Sequence, residues 1–313
     1  MSLTYRHRSP GPAVAFALVG GLAILALIVA WWPEATTGPT RPSRFSRMHI
    51  NWPAEGQSGI AIRGVGTRLS APRRTPVPIA SVAKVMTAYV VLERYPLSDE
   101  SSGFTMTMTA ADEQLSRDDA ASGQSYVPVV AGELISERAA LEAILLPSAN
   151  NIAMALAEHV AGDVPSFVAM MNTEAQRLHM TDTTYTDPSG LADTTVSTAR
   201  DQIRLARAAF REPTLASIVA MPRATIPVAG LVVNTDRLVG HGGFVGGKTG
   251  SDEAAGGCFV FNVVRQVRGH TVVMFGAVLG QHSEHLVTAG QDAAARLVDE
   301  VTAGLRPDRA RTR

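Results

Sequence analysis

The sequence predicts an α/β protein of the α+β sandwich kind: an antiparallel sheet flanked by helices, an inserted all-helical lobe, and one N-terminal transmembrane helix. Three observations lead there. Strand patterns come early and late in the chain with helix patterns between them, the order expected when both ends complete one sheet. The chain has 313 residues, 46% of them hydrophobic, enough for one large domain or two lobes around a substantial core. Residues 13–32 carry no charge.

That uncharged run comes first. About 20 residues at ~1.5 Å each cross a hydrocarbon layer of ~30 Å as a helix, with Trp31 and Trp32 at the far interface. Arg6 and Arg8 precede it and no basic residue follows before Arg41, so residues 1–12 are expected in the cytoplasm and everything after Pro33 outside, on a single-pass membrane anchor. A cleaved signal peptide is the competing reading, but no clear A-x-A-like site ends the run. Residues 33–55, rich in Pro, Thr, Ser, Gly and Arg, read as a linker, and 56–304 as the folded domain. Residues 305–313, with Arg306, Arg309, Arg311 and Arg313, read as a solvated basic tail.

Within the domain, 58–62 reads as a strand and 63–67 as a glycine-rich turn. Pro76 and Pro78 stop regular structure just before Ser81, which opens an apolar, buried helix over 82–94. A helix over 137–146 is capped by Ser136 and stopped by Pro147; another runs from 151 to Val160, before Gly162. Helices follow over 166–178 and 198–210, the latter with Ser197 as its cap. Late strands are expected over 224–228, 231–234, 245–249, 257–264 and 271–279. An amphipathic helix over 283–302 closes the domain, its apolar positions including Leu286, Val287, Leu297, Val298 and Val301.

Composition excludes several function classes. Twenty-eight basic residues balance 28 acidic ones, which gives nucleic acid no footing as a partner. The single cysteine, Cys258, cannot form an internal disulfide and lies in an apolar strand. The histidines show no metal-ligating spacing, and Gly240-His-Gly-Gly243 lacks the Lys-Ser/Thr of a phosphate loop, so neither metal nor cofactor is expected.

Only two of the 28 basic residues are lysine, and each sits in a short motif: Ser81-Val-Ala-Lys84 and Lys248-Thr249-Gly250. Lysine can lose its proton and arginine cannot, so a chain that writes its other cations as Arg reserves Lys for chemistry. Residues three apart share a helix face, which brings the Lys84 amine to the Ser81 hydroxyl. A free hydroxyl is a poor nucleophile and needs an adjacent base. Lys84 serves only when neutral, so a dry pocket or a neighbouring cation must lower its pKa, and Lys248 is a candidate for that cation. The helix N-terminus at Ser81 would add a backbone N–H where an oxyanion develops. Ser148, on a tight joint after Pro147, is placed to relay a proton between Lys84, Lys248 and a leaving amine. Asn150 offers an amide to a substrate carbonyl. Lys248 and Thr249 suit a terminal carboxylate, although Asp252 and Glu253 place two like charges beside them.

The stretches PIASVAKVMTAYVVLE, LLPSANNIAMALAE, TDPSGL, STARD and GGKTG, in order over residues 76–280, resemble the D-alanyl-D-alanine carboxypeptidases, the low-molecular-mass penicillin-binding proteins of the β-lactamase/transpeptidase-like fold. The resemblance implies an acyl-enzyme at Ser81, Lys84 as base, and Ser148 and Asn150 as proton relay and substrate contact. Lys248, Thr249, Gly250 and Ser251 would bind substrate, with the N–H groups of Ser81 and Ser251 as oxyanion hole. It further implies a peptidoglycan stem peptide ending in D-Ala-D-Ala as substrate and β-lactams as inhibitors. Two alternatives remain: a class A-like β-lactamase, against which residues 175–211 contain no glutamate, and a non-catalytic membrane-tethered penicillin-binding sensor, against which every motif is intact.

Overall fold

Both ends of the chain build one sheet. In the computed structural model, which describes residues 44–70, 75–98 and 100–305, strands β1 (Gln57–Ile62) and β2 (Gly66–Leu69) form an early hairpin. Three short pairs lie outside this sheet, β3 (Val77–Pro78) with β6 (Val196–Ser197), β4 (Thr105–Thr107) with β5 (Leu134–Ser136), and β7 (Arg223–Ile226) with β8 (Gly230–Val233), while strands β9 (Phe244–Asp252), β10 (Gly256–Val267) and β11 (His270–Gln281) come late. The order is β2-β1-β11-β10-β9, antiparallel throughout, so β9 is an edge strand. The long central strands are buried along most of their length because helices cover both faces, which is why their sequences read as apolar runs rather than as an alternation. Phe259, Phe261, Met274 and Val278 point to one face, where the C-terminal helix Leu286–Leu305 buries Ala293, Ala294, Leu297, Val298 and Val301. Cys258, Val260, Ala277 and Leu279 point to the other, toward the helices.

Those helices include α2 (Lys84–Arg94; α1 is Arg44–Arg47), buried from Lys84 to Leu92. It runs between the sheet-side helix Ala199–Ala209 and a lobe made of Ala110–Ala121, Glu137–Leu145, Asn150–Ala161 and Val164–Arg177. The antiparallel sheet with an inserted helical lobe is therefore as the sequence predicts. The expected transmembrane segment 13–32 lies outside the described residues, as does the basic tail from 306 onward. Among the described residues no single helix is long and apolar enough to cross a membrane.

The structure corrects the sequence reading in several places. Residues 44–52, assigned to the linker, belong to the domain: Phe45 and Ile50 are buried in the sheet-side core, and the Arg68 guanidinium donates to the carbonyls of Phe45 and Met48. Two apolar anchors among polar neighbours gave no periodicity to read. Residue 198, not Ser197, caps its helix, accepting from the Asp201 N–H. Helix Ala110–Ala121 was not foreseen. Only Ser116 and Asp119 are buried on it, so it shows no apolar stripe, and its one signal is a capping box between Thr109 and Asp112.

Candidate active site

The first motif is not the start of an α-helix. Ser81 lies in a 3-10 turn, Ala80–Ala83, and the α-helix begins at Lys84. Two glycines shape this turn. Ala80 has φ +47°, and a Cβ on Gly190 would stand 1.9 Å from its carbonyl oxygen. A Cβ on Gly250 would come within 3.0 Å of the Ser81 nitrogen, so β9 packs directly on the nucleophile's backbone. In a 3-10 turn residues three apart eclipse, and Lys84 Nζ donates to Ser81 Oγ at 2.8 Å.

Lys84 is fully buried and also donates to Asn150 Oδ1 (2.7 Å) and to the Ser189 carbonyl (2.8 Å). Its pKa lies well below the usual lysine value, first because burial penalises the ammonium and then because Lys248 is a neighbouring cation; Asp187 and Asp119 act in the opposite direction. Lys248 is equally buried and donates to Ser148 Oγ (2.9 Å) and to the Thr249 carbonyl (2.8 Å). Burial lowers its pKa to about 7, while Asp236 holds it up. Ser148, with φ +72°, sits at the joint between two lobe helices and is nearly buried. The next residues start helix Asn150–Ala161, whose Asn150 side chain bridges Lys84 and Gln124 Oε1 (3.2 Å). Thr249 Oγ1 lies 2.6 Å from Thr235 Oγ1, and the Thr235 N–H is bound to the Leu146 carbonyl, tying β9 to the lobe.

Thus Ser81, Lys84, Ser148, Asn150, Lys248 and Thr249 form one connected cluster, with Gly250 as the point where strand meets turn. Ser251 continues β9 half-buried, and its hydroxyl makes no hydrogen bond to the others. Asp252 is half-buried at the end of β9. Its carboxylate accepts the Ala255 N–H (2.6 Å) to close the β9–β10 turn, and Glu253 is exposed.

Four contributors were not singled out from the sequence. The Ser189 carbonyl is aimed at Lys84 by a loop built around Asp187, which accepts from Ser189 N (3.0 Å), Ser189 Oγ (2.6 Å), Leu191 N (3.0 Å) and Thr195 Oγ1 (2.6 Å). Thr87, one turn beyond Lys84, holds the Pro188 carbonyl at 2.5 Å. Asp119 and Asp236 are buried carboxylates near Lys84 and Lys248 respectively, both pushed upward by burial, Asp236 to about 6. The Asp-Pro-Ser-Gly turn was the one local signal; the two carboxylates arrive through tertiary packing.

The D-alanyl-D-alanine carboxypeptidase family model matches residues 70–278 of this chain. Over 209 residues the chain is 35% identical to a D-alanyl-D-alanine carboxypeptidase of Mycobacterium tuberculosis, covering 64% of this chain and 67% of that protein. Over 199 residues it is 33% identical to a D-alanyl-D-alanine endopeptidase of Escherichia coli, covering 60% of this chain and 59% of that protein. In three dimensions it is similar to a D-alanyl-D-alanine carboxypeptidase from Mycobacterium tuberculosis (TM-score 0.68, 32% identity, 82% of this chain and 93% of that one). It is also similar to the DD-transpeptidase of Streptomyces K15 (TM-score 0.69, 26% identity, 81% of this chain and all of that one, 100%).

Proposed function

Since the chain belongs to the D-alanyl-D-alanine carboxypeptidase family, a family of serine hydrolases, we propose that it removes the terminal D-Ala from peptidoglycan stem peptides through an acyl-enzyme at Ser81. The observation that carries this reading is the 2.8 Å contact between Ser81 Oγ and an amine whose pKa is lowered well below the usual lysine value by burial and then by a second lysine. In the first step neutral Lys84 takes the Ser81 proton as Oγ attacks the penultimate D-Ala carbonyl. The Ser81 and Ser251 N–H groups are assigned to the developing oxyanion. Breaking the amide bond requires a proton on the leaving amine, and Ser148, bonded to Lys248 and next to Asn150, supplies the relay. Protonated Lys248, with the Thr249 hydroxyl, receives the terminal carboxylate, which makes a free C-terminal acid the selected feature. Water then attacks the acyl-enzyme carbonyl as Lys84 takes its proton, and the C–O bond to Ser81 breaks as Lys84 returns that proton to Oγ, releasing the shortened stem.

The same acylation by a β-lactam leaves no small leaving group to diffuse away, so such drugs are expected to inhibit. Rapid hydrolysis in the manner of a class A β-lactamase would need a free carboxylate over the ester. Asp187, an acid of the corresponding loop whose charge acts on Lys84, has both oxygens engaged in shaping that loop. An inert sensor is disfavoured because the Lys84 and Lys248 bonds are all in place. Incubation with a labelled penicillin followed by intact-mass measurement tests the reading: wild type is expected to gain one penicilloyl group and Ser81→Ala none. Release of D-Ala from a pentapeptide must accompany the labelling; an adduct on the Ser81→Ala protein would overturn the assignment.

A further inference from the structure

The chain has no net charge, yet its charge is arranged along the long axis of the sheet. The turn joining β9 to β10, beside the catalytic cluster, carries Asp252 and Glu253. At the far end of the same strands the β10–β11 turn carries exposed Arg268 and His270. The β1–β2 turn lies alongside, because β1 pairs with β11 and the Arg63 N–H donates to the Val273 carbonyl. The last turns of helix Ala199–Ala209 and the residues after it bring exposed Arg207 and Arg211 to the same place. Burial lowers the Arg211 pKa first, and the charges of nearby Arg207 and Arg63 lower it further. Acidic groups stand here too: Asp299 pairs with Arg265, Glu300 accepts from the Asn51 amide, and Glu212 accepts the Leu215 N–H among its contacts.

The end of the domain where the described chain begins is this basic one. Met48 packs on Gly304 in the last turn of the C-terminal helix, and that helix holds Arg265, three residues before Arg268, through Asp299 and Thr302. Exposed Arg47 lies one residue before Met48, and Val65 is 46% exposed at the tip of the β1–β2 turn. Only residues 33–43 separate the apolar run 13–32 from Arg44; eleven residues reach at most ~40 Å.

The geometry points to this basic end, formed by Arg47, Arg63, Arg207, Arg211, Arg268 and His270, as a docking face for the anionic phospholipid surface to which the N-terminal segment tethers the domain. Guanidiniums on separate turns with an apolar tip between them suit a plane of headgroup phosphates better than a single enclosed anion. Docked this way, the twelve-residue β10 stands as a strut, lifting the acidic, catalytic end roughly 40 Å off the bilayer toward a polymeric substrate. The inference rests on reading residues 13–32 as a membrane span, and the test separates the two.

The full chain is reconstituted into vesicles of neutral phosphatidylcholine, with or without phosphatidylglycerol. Cys258 is wholly buried, so an environment-sensitive dye can be placed selectively on Val65→Cys or, as a control, on Glu253→Cys. With a headgroup-attached quencher, quenching at position 65 is expected only in anionic vesicles and is expected to vanish in high salt, with none at position 253. Changing Arg207, Arg211 and Arg268 together to Gln is expected to shift the docked fraction on the order of a hundredfold while leaving penicillin labelling intact. Equal quenching at both positions, or insensitivity to salt and lipid charge, overturns the docking face. So does a soluble polyphosphate that binds the wild type as well as the anionic vesicle does, which would make the face one for an anionic polymer. Failure of the chain to stay with either vesicle type would instead refute the span.

Discussion

Lys84 and Lys248 are the same side chain, equally buried and near enough for the charge of Lys248 to lower the Lys84 pKa, yet they are held in different ways. Lys84 projects from a helix into acceptors from three elements: a hydroxyl, an amide oxygen and a loop carbonyl. Lys248 projects from a strand into one hydroxyl and the carbonyl of its neighbour, and its strongest charged partner is Asp236. Dryness alone would make both amines neutral. What separates them is the sign of the dominant charge each feels: another cation for Lys84, a carboxylate for Lys248. One lysine is thereby prepared to accept a proton while the other still carries one near neutrality. Interacting groups push each other apart in just this way when a site needs an acid and a base together.

The largest effect should follow from removing the base. Lys84→Met keeps the length of the side chain and loses the amine, so acylation by a labelled β-lactam is expected to slow by about 10²–10⁴. The protein should still melt cooperatively, because the packing around α2 is retained. If Lys84→Met acylated at the wild-type rate, the division of labour between the lysines would be gone.

Lys248→Met tests the other half. A peptide ending in a free carboxylate should lose roughly 10- to 100-fold in kcat/KM, the scale of a charge-assisted contact. The same peptide ending in an amide, already poor, should change little. Loss of equal size on both substrates would show that Lys248 serves the proton relay and not the carboxylate.

How far this pairing could be read in advance depends on the range of the contacts. The Ser81–Lys84 relation is local, three residues on one turn, and the scarcity of lysine marked both amines. That both ends of the chain complete one antiparallel sheet around an inserted helical lobe likewise followed from apolar runs and helix stops, whereas the strand order did not. The 3-10 geometry at Ser81 did not, because it is imposed by Gly190 and Gly250, more than a hundred residues away. Asp236 gave no signal either. In sequence it is one polar residue in a loop, and only folding buries it beside Lys248. Asp252 could not be placed from sequence: its nearness to the carboxylate-binding lysine raised the question of repulsion, and the fold sets its side chain to accept the Ala255 N–H at the turn.

A smaller effect concerns stability. Lys248 has a folded-state pKa of about 7 against 10.5 ordinarily. Between those values the unfolded chain binds more protons than the folded one, so stability rises with pH by up to about 1.4 kcal/mol per unit from this group. Lys84 contributes in the same direction. Denaturant titrations between pH 7 and 9 should therefore show a positive slope that is reduced, not abolished, in Lys248→Met. An unchanged slope would mean that Lys248 is not the depressed amine.

The smallest and most discriminating change is Asp236→Asn. Asp236 is 3% exposed and caps its own loop by accepting the Leu238 N–H at 2.9 Å, a bond that an amide oxygen can keep, so the fold should survive. What disappears is the negative charge that holds the Lys248 pKa up at about 7. The Lys248 pKa must then fall, and the ammonium that greets the terminal carboxylate is lost at a lower pH. The alkaline limb of kcat/KM for a carboxylate-terminated peptide is expected to move toward acid, with a reduction at pH 7 of only a few-fold. Lys84 should respond oppositely: a less charged Lys248 depresses it less, so its pKa should rise and the acid limb should move to higher pH. Narrowing from both sides is a signature that a merely structural role for Asp236 cannot produce, since loop damage would lower the whole profile without moving its limbs.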